Sequence, residues 1–447
     1  MKKGISWLLI LLLLVSLVAC GNKETAPNAE QPEKDAPAQD VITITGYMIG
    51  TDPRKEEAVK ILNEEAMERL GFNVEMEIIE GHPNDYETKI RTLASTNSLP
   101  DVFWEQGGAT FAQPLLDAGA PLAIEDYLDK YGFYDMVLPA AKVPSADGHI
   151  YAVPCVELFY ECILYNKAIF AEKGYEVPKT VDELIVLAAQ MKADGYDTPV
   201  AVAGKEGWCV DRVFEGFAYT VDPNATLDII NGKTKFTDEP YMLGIEATLK
   251  LFENGVFGEY PATIDYNGAD ALFGDGQAPM FFGDTSHVPS MIGNYGMNGD
   301  DIGVAYFPVV DEKYIDNYGV AAAGGCKQDA GMMVNAKTKY PEEAARVAIE
   351  FSKIFNQLRY EVGGDVATIF KYDELGWVTE AGFAQSQKDF IQDIGSKPMK
   401  ALEIQDAFPG AKGGAIIMDT SSVLLTGQMT AQEFAEALNA ACDTIGK

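Results

Sequence analysis

Strand-like and helix-like patterns alternate along the chain once its first 40 residues are passed. Three segments with strand character, 41–49, 72–80 and 99–104, are separated by two segments, 54–70 and 85–97, whose apolar side chains recur at helical spacing. A β-α-β-α-β order predicts a parallel sheet covered by helices on both faces. Such sheets bind ligands beyond the carboxyl ends of their strands.

A second set of the same patterns begins near residue 154. Residues 178–195 predict a helix that opens with a capping box of Thr180 and Glu183, and residues 198–204 predict another buried strand. About 400 residues follow the first 40, which is more than one compact core usually holds. We therefore predict an α/β protein made of two doubly wound lobes.

The N-terminal segment predicts export. Lys2 and Lys3 precede an apolar run over 5–19, which is shorter than the roughly 20 apolar residues that a membrane-spanning helix needs. We interpret residues 1–19 as a cleaved signal peptide. Residues 21–40 are polar and contain no aromatic residue, which predicts a flexible spacer.

A small residue followed by Cys20 resembles the lipobox of bacterial lipoproteins. The resemblance implies that Cys20 becomes the lipidated N-terminus and holds the chain at the outer face of the cell membrane, because two acyl chains on one residue give stable anchoring. An ordinary cleaved signal with an incidental cysteine is the alternative.

Charge and motif content narrow the classes of function. The chain has 34 basic and 68 acidic residues, and this acidic balance disfavours nucleic acid as a partner. We find no zinc-protease, phosphate-loop or dinucleotide-binding motif, and we expect neither a cofactor nor a metal. Cysteines beyond Cys20 are odd in number, so buried free thiols are expected, with one disulfide as the alternative. They are Cys155, Cys162, Cys209, Cys326 and Cys442.

Several sequence blocks, in this order, resemble the extracellular solute-binding proteins of ABC importers, the family that includes the maltose-binding protein. They are DYETKIRTLASTNSLPDVFW (85–104), DGHIYAVP (147–154), LYNKAIFAEKGYEVPKTVDEL (164–184), ALFGDGQAPMFFGD (271–284) and GGCKQDAGMMVNAKTKYPEEAARVAIEF (324–351). The resemblance covers essentially all of 41–447. It implies a receptor of the class II periplasmic-binding-protein type rather than an enzyme.

The resemblance also implies how the chain divides and works. Lobe one would comprise 41–153 and 302–355, and lobe two 154–301 and 356–447. A solute would bind in the cleft between the lobes of a monomer, and hinge closure would bury it. Permease subunits in the membrane would then recognise the closed form.

Candidate solute-binding residues follow from the chemistry of sugars, which offer apolar C–H faces and a ring of hydroxyls. Aromatic side chains suit the apolar faces, and carboxylate and backbone groups suit the hydroxyls. We look for them at predicted strand ends and in rim loops, including an exposed segment over 207–212. The candidates are Tyr47, Trp104, Glu105, Glu157, Tyr160, Trp208, Asp211, Phe282, Asp284, Gly325 and Asp365. Phe282 has a core position as its alternative role, and Asp365 a helix cap. A Trp that many family members carry after the 271–281 block is replaced here by the segment from Asp284 to His287, which leaves the particular sugar open.

We therefore predict a lipid-anchored receptor for a carbohydrate, with an oligosaccharide as the favoured solute. A peptide, a polyamine or another nitrogenous solute is the alternative within the same class, because an acidic cleft suits a cation. A secreted glycosidase that uses two carboxylates and a structural surface protein are alternatives from other classes.

Overall fold

The computed structural model describes residues 41–50, 52–80, 83–145, 147–155, 159–321, 323–324, 328–395, 404 and 413–445. The predicted signal peptide, Cys20, the spacer, Glu157, Gly325 and Cys326 lie outside the described residues.

Strands and helices alternate through most of the described chain. The strands are β1 (Thr43–Ile49), β2 (Asn73–Ile79), β3 (Val102–Glu105), β4 (Ala152–Val153), β5 (Phe159–Asn166), β6 (Val200–Ala201), β7 (Met280–Asp284), β8 (Ile302–Ala305), β9 (Ala323–Gly324) and β10 (Gly331–Val334). The α-helices are α1 (Pro53–Leu70), α2 (Pro83–Ser95), α3 (Gly108–Phe111), α4 (Gln113–Asp117), α5 (Glu125–Lys130), α6 (Phe133–Met136), α7 (Lys167–Lys173), α8 (Val181–Ala193), α9 (Gly207–Val221), α10 (Ala225–Ile230), α11 (Glu239–Glu253), α12 (Tyr266–Gly274), α13 (His287–Gly293), α14 (Pro341–Glu361), α15 (Tyr372–Leu375), α16 (Gln385–Gly395), α17 (Gly413–Ser421) and α18 (Ala431–Ile445). Short 3-10 helices cover Pro139–Ala141, Pro261–Thr263, Gly299–Asp301, Glu312–Asn317 and Leu424–Thr426.

Local sequence signals explain where the helices begin and end. Asp52 caps α1 by accepting a hydrogen bond from the Arg54 N–H, and Gly71 ends the helix with a φ of 85°. Thr180 and Glu183 form the predicted capping box at the start of α8. The strand and helix order predicted for residues 41–104 is confirmed, with shifts of a few residues at the ends.

The strands form two separate sheets. The first has the order β2-β1-β3-β10-β4, in which β1 is parallel to β2 and β3, as predicted, and β10 is antiparallel to β3 and β4. The second has the order β6-β7-β5-β8, and β9 pairs with β5. Helix α14 packs on the first sheet beside α1, whereas α9 and α11 pack on each other within the second lobe. Two sheets that each pack with helices confirm the predicted two-lobed α/β class. The second sheet differs from a doubly wound one, because β5 is antiparallel to both β7 and β8.

Two segments lie on the other side of the predicted lobe boundaries. The resemblance places Ile302–Ala305 in lobe one, but β8 pairs with β5 and is therefore part of the second sheet. The stretch after α14 was assigned to lobe two, but the Ile369 carbonyl accepts a hydrogen bond from the Leu138 N–H and the Phe370 ring contacts Phe133. These contacts pack the residues around Ile369 and Phe370 against lobe one. The remaining boundaries stay a prediction.

No helix in the described part of the chain has both the length and the apolar content that crossing a bilayer requires.

Candidate functional site

The first rim of the candidate site lies at the carboxyl end of β3. Trp104 is buried there, and the Tyr86 hydroxyl hydrogen-bonds to both its N–H and its carbonyl, at 3.1 and 3.0 Å. Lys55 Nζ lies 4.1 Å from the Trp104 ring centroid, and Lys89 Nζ lies 4.4 Å from that of Tyr47. Both predicted aromatic residues of lobe one therefore already have a cation over the ring.

Glu105 is fully buried rather than open to the cleft. Its Oε1 accepts hydrogen bonds from the N–H groups of Gln106 and Gly107, at 2.9 and 3.4 Å, so this carboxyl holds the loop that follows β3. Burial and the neighbouring Glu87 raise the pKa of Glu105 well above its usual range. Burial raises the pKa of Glu87 to about 7. The pair therefore holds protons near neutral pH, and Glu105 positions backbone where direct solute contact was predicted.

The second rim of the candidate site lies in lobe two, around Trp208. Five planar groups follow one another there, and we call them the column: Phe159, Arg212, Trp208, Tyr266 and His287. The guanidinium carbon of Arg212 lies 4.9 Å from the Phe159 ring centroid and 4.8 Å from that of Trp208. Trp208 lies 5.4 Å from Tyr266, and Tyr266 lies 4.8 Å from His287, with interplanar angles of 33° and 30°. Side chains from β5, α9, α12 and α13 are thereby joined at one edge of the second sheet.

Carboxylates hold the two basic members of the column. Arg212 Nη1 donates to Asp284 at 2.8 Å, and Arg212 Nε lies 3.9 Å from a Glu161 oxygen. His287 Nδ1 lies 2.7 Å from Asp270. Asp284 and Glu161 face each other across paired residues of β7 and β5. Each basic side chain of the column therefore has at least one carboxylate beside it.

Asp211 lies inside lobe two instead of in the exposed segment that was predicted. Helix α9 extends through this segment, and Asp211 and Glu215 are both fully buried on it. Glu215 Oε1 accepts hydrogen bonds from Tyr219, from Thr226 at 2.8 Å and from Tyr241 at 3.5 Å. Burial, followed by the charge of Glu215, raises the pKa of Tyr241 well above its usual range. Asp211 belongs to this interior polar region because a continuous helix turns it away from solvent.

Phe282 takes its alternative position in the core, and Asp365 has a structural role that differs from the predicted helix cap. Phe282 is 4% exposed and its ring contacts those of Phe217, Phe257 and Phe307, which places it in the core of lobe two. Asp365 is fully buried, where it accepts a hydrogen bond from Arg359 Nε at 2.9 Å and from the Ala367 N–H at 2.9 Å.

The hinge is built on backbone carbonyls that α14 holds in place. Between β4 and β5 the Pro154 carbonyl accepts a hydrogen bond from Ser352 Oγ at 2.6 Å, and the Cys155 carbonyl accepts one from Asn356 Nδ2 at 3.0 Å. Tyr160 follows on β5 and lines a cavity of about 440 Å³ together with residues of both lobes, among them Leu138, Phe370, Tyr372 and Ile391. Among the predicted site residues that the structure describes, Tyr160 lies at the hinge.

Helix α17 connects the two rims, because it lies beside α3, which follows β3, and beside α9, which carries Trp208. The structure thus links Trp208 and Asp284 through Arg212, which contacts both, and places Trp104 and Glu105 at the neighbouring rim. Sequence reasoning missed Arg212, Tyr266 and His287. The spacing of Trp208 and Arg212, four residues apart at the start of a helix, is the signal that could have paired them.

The cysteines that the structure describes are free thiols, and Cys155 and Cys162 are buried. Burial raises the pKa of the Cys155 thiol to about 12, which makes it unreactive. Among the described residues, no group of three or more His, Cys, Asp or Glu side chains is arranged to hold a metal ion.

Comparison with known proteins gives a family and related structures. Residues 53–353 match the family described as bacterial extracellular solute-binding protein. The putative ABC transporter periplasmic-binding protein YcjN of Escherichia coli (strain K12) is 27% identical over 244 residues, 53% of each chain, so the match spans about half of that relative. The alpha-glucosides-binding periplasmic protein AglE of Rhizobium meliloti (strain 1021) is 25% identical over 402 residues, 81% of this chain and 79% of that protein.

Solved structures share the fold over nearly the whole chain. A chitin oligosaccharide binding protein has a TM-score of 0.74 at 22% identity and covers 91% of this chain and 99% of its own. The binding protein RafE in complex with raffinose has a TM-score of 0.65 at 18% identity and covers 91% of this chain and all of its own, 100%.

Proposed function

The chain belongs to the bacterial extracellular solute-binding protein family, and on that premise we propose that it captures a neutral carbohydrate, favouring an oligosaccharide, between its lobes and delivers it to an ABC importer. The observation that carries this proposal is the state of three predicted aromatic residues. Tyr47, Trp104 and Trp208 each have a cationic side chain of the protein over the ring.

This arrangement favours a neutral solute over a polyamine or another cation. A cationic solute gains from aromatic faces and carboxylates only where these groups are not already paired with a cation. Here Arg212 faces Asp284 and Glu161, and burial raises the pKa of both Glu87 and Glu105, which reduces the negative charge of this pair. A sugar, in contrast, uses such a surface through its C–H faces and through hydroxyls that hydrogen-bond to Lys, Asp and Tyr side chains.

The names of relatives support the same class of solute. They include a fructooligosaccharide ABC transporter substrate-binding protein of Streptococcus pneumoniae and the alpha-glucosides-binding protein above. Two related structures carry oligosaccharides or oligosaccharide binding in their descriptions. We propose no catalytic residue, and release of reducing ends from glycans by the purified chain would contradict the receptor proposal.

Capture would proceed by rotation of the lobes about the segment that contains Pro154 and Cys155. The solute stabilises the closed form only through contacts that it makes with both lobes. In this chain the first lobe would contribute the rim around Trp104, the second the rim around Trp208, and Tyr160 the base of the cleft.

Lipid on Cys20 would hold the receptor beside its permease. A spacer of about 20 residues with a reach of roughly 5–6 Å times the square root of its length extends some 25 Å on average. Cys20→Ser should leave solute binding intact and release the chain from the membrane fraction. Retention of the Cys20→Ser variant on membranes would contradict this part of the proposal.

Titration calorimetry against raffinose, stachyose, chitotriose, xylotriose and spermidine tests the solute class. We expect saturable binding of at least one sugar and none of spermidine. Trp208→Ala should weaken that binding up to roughly tenfold, since loss of a stacking aromatic removes about 0.5–1.5 kcal/mol of contact, whereas Trp377→Phe, outside both rims, should not. If spermidine binds and none of the sugars does, the chain is a receptor for a cationic solute and the carbohydrate proposal is wrong.

A further inference from the structure

The Arg212 guanidinium fills a site that has the composition of a cation-binding cage. Two aromatic rings, Phe159 and Trp208, lie within 5 Å of its central carbon, at 4.9 and 4.8 Å. Two carboxylates complete the cage, Asp284 at 2.8 Å and Glu161 at 3.9 Å. Aromatic faces combined with carboxylates are the groups that bind ammonium and guanidinium ions from ligands.

We propose that Arg212 is a specificity-determining and positioning residue of the solute cleft: its side chain occupies this cage as an internal cation, which fixes the Trp208 ring and excludes cationic solutes. The exclusion of cationic solutes rests on the proposed receptor function. The occupation of the cage by Arg212 is independent of that function, because it follows from contacts within one lobe.

The contacts of Arg212 explain how one side chain can fix the Trp208 ring and also exclude cationic solutes. Its side chain is only 11% exposed, and the carboxylates of Asp284 and Glu161 are 4% and 1% exposed, so these charges interact with little screening by water. The planar guanidinium stacks on a ring and hydrogen-bonds in its own plane at the same time, which a lysine ammonium cannot do. Trp208 is therefore held against Tyr266 on the column before any solute arrives.

A second arginine of the chain provides a matched control. Arg346 also lies over two aromatic rings, 5.1 Å from Phe72 and 5.8 Å from Tyr131, and it donates to the Leu70 carbonyl at 2.9 Å. These residues belong to lobe one and are outside both rims. Substitution there removes a stacked arginine without touching the cage.

The test uses the full chain labelled with 5-fluorotryptophan and observed by ¹⁹F NMR, with the Trp208 resonance assigned by Trp208→Phe. Arg212→Ala should shift and broaden the Trp208 resonance and leave those of Trp104 and Trp377 in place, while Arg346→Ala should leave Trp208 in place. Methylguanidinium added to Arg212→Ala should bind saturably and return the Trp208 resonance toward its wild-type position. Methylurea, a neutral molecule of the same shape, should not.

An unchanged Trp208 resonance in Arg212→Ala would overturn the positioning role, and a response to methylguanidinium no greater than that to methylurea would overturn the cage. Should Arg212→Ala fail to fold, Arg212→Gln takes its place, because the amide retains length but not charge. It should displace the Trp208 resonance in the same way, and failure to do so would overturn the proposal equally.

Solute binding is measured separately, with the N-acetylglucosamine trimer and the cationic glucosamine trimer as probes. Arg212→Ala should change the ratio of the two affinities at least tenfold in favour of the cationic trimer, and an unchanged ratio would overturn the specificity role. If the wild-type chain binds no sugar of any kind, the receptor proposal fails while the NMR result still decides the cage.

Discussion

Asn356, on the long helix α14, donates a hydrogen bond of 3.0 Å to the carbonyl of Cys155 in the segment that joins the lobes. The same side chain accepts a hydrogen bond from Thr368 Oγ1 at 2.8 Å and donates to the Ser352 carbonyl at 2.9 Å. Asn356 and Thr368 are both buried. One amide therefore ties the first crossing of the hinge to the chain that follows α14.

Asn356→Ala should lower the free energy of unfolding by roughly 2–4 kcal/mol, because it leaves a buried carbonyl and a buried hydroxyl without their partner. Urea denaturation followed by circular dichroism measures the loss. Asn254→Ala is the control, since Asn254 makes an amide-to-carbonyl hydrogen bond of 2.8 Å to Lys250 on the surface. Equal losses in the two variants would contradict the role assigned to Asn356.

The Glu87–Glu105 pair should make stability fall as pH rises. Burial raises the pKa of Glu87 from 4.5 to about 7, and burial with the charge of Glu87 raises that of Glu105. The folded chain therefore keeps protons that the unfolded chain has already released, and the linkage relation makes the free energy of unfolding decrease through this pH window. This stabilisation is complete below the unfolded pKa and is lost as pH rises through the folded one.

Glu87→Gln should remove part of this dependence, because a neutral amide replaces the carboxyl at the same volume. Between pH 5 and pH 8 we expect the loss of unfolding free energy to be smaller than in wild type by an amount on the order of 2 kcal/mol. Glu75→Gln, on the exposed face of β2, serves as the control. A variant whose pH profile runs parallel to wild type would show that the pair holds no extra proton.

Periodicity and end signals predicted the architecture because they are local. The period-two pattern of β1, the glycine after α1 and the Thr180–Glu183 capping box each depend on residues close in sequence. The two sheets, and the parallel pairing of β1 with β2 and β3, followed from the order of these elements. The antiparallel pairing of β5 with β7 and β8 did not. Where β8 belongs did not follow, because its four residues pair across more than 130 positions of the chain, with β5.

The sequence predicted which types of residue occupy the candidate site better than it predicted what each residue does there. Trp208 and Asp284 lie at one rim because Arg212 contacts both, and the four-residue spacing of Trp208 and Arg212 was the only local signal of this link. Glu105 and Asp211 follow predicted strands, which suggested exposure. Glu105 is instead buried against Glu87, and Asp211 lies on a continuous helix. Such outcomes depend on tertiary neighbours that a single sequence does not reveal.

Phe282→Ala should act on stability rather than on solute affinity. Its ring packs against three other aromatic rings in the core of lobe two, and loss of a buried phenylalanine typically costs about 3–5 kcal/mol. Denaturation gives the cost, and calorimetry on the folded fraction gives the affinity for whichever sugar binds wild type. Trp208→Ala should instead reduce sugar affinity more than it reduces the free energy of unfolding. An affinity loss in Phe282→Ala as large as in Trp208→Ala would indicate that Phe282 contacts the solute.

Helices α9 and α17 approach each other closely at Gly207. Substitution of Gly207 should therefore displace the Trp208 side chain, although Trp208 itself is unchanged. A Cβ at Gly207 would lie 1.8 Å from the Met418 carbonyl oxygen, so α9 and α17 have to separate when one is added. Gly207→Ala should cost roughly 1–3 kcal/mol of unfolding free energy and weaken sugar binding, because the next residue is Trp208. Gly293→Ala is the matched control: a Cβ there meets no atom within 4 Å, so stability should stay level or rise slightly. Wild-type stability and affinity in Gly207→Ala would show that α17 does not hold the Trp208 rim in place.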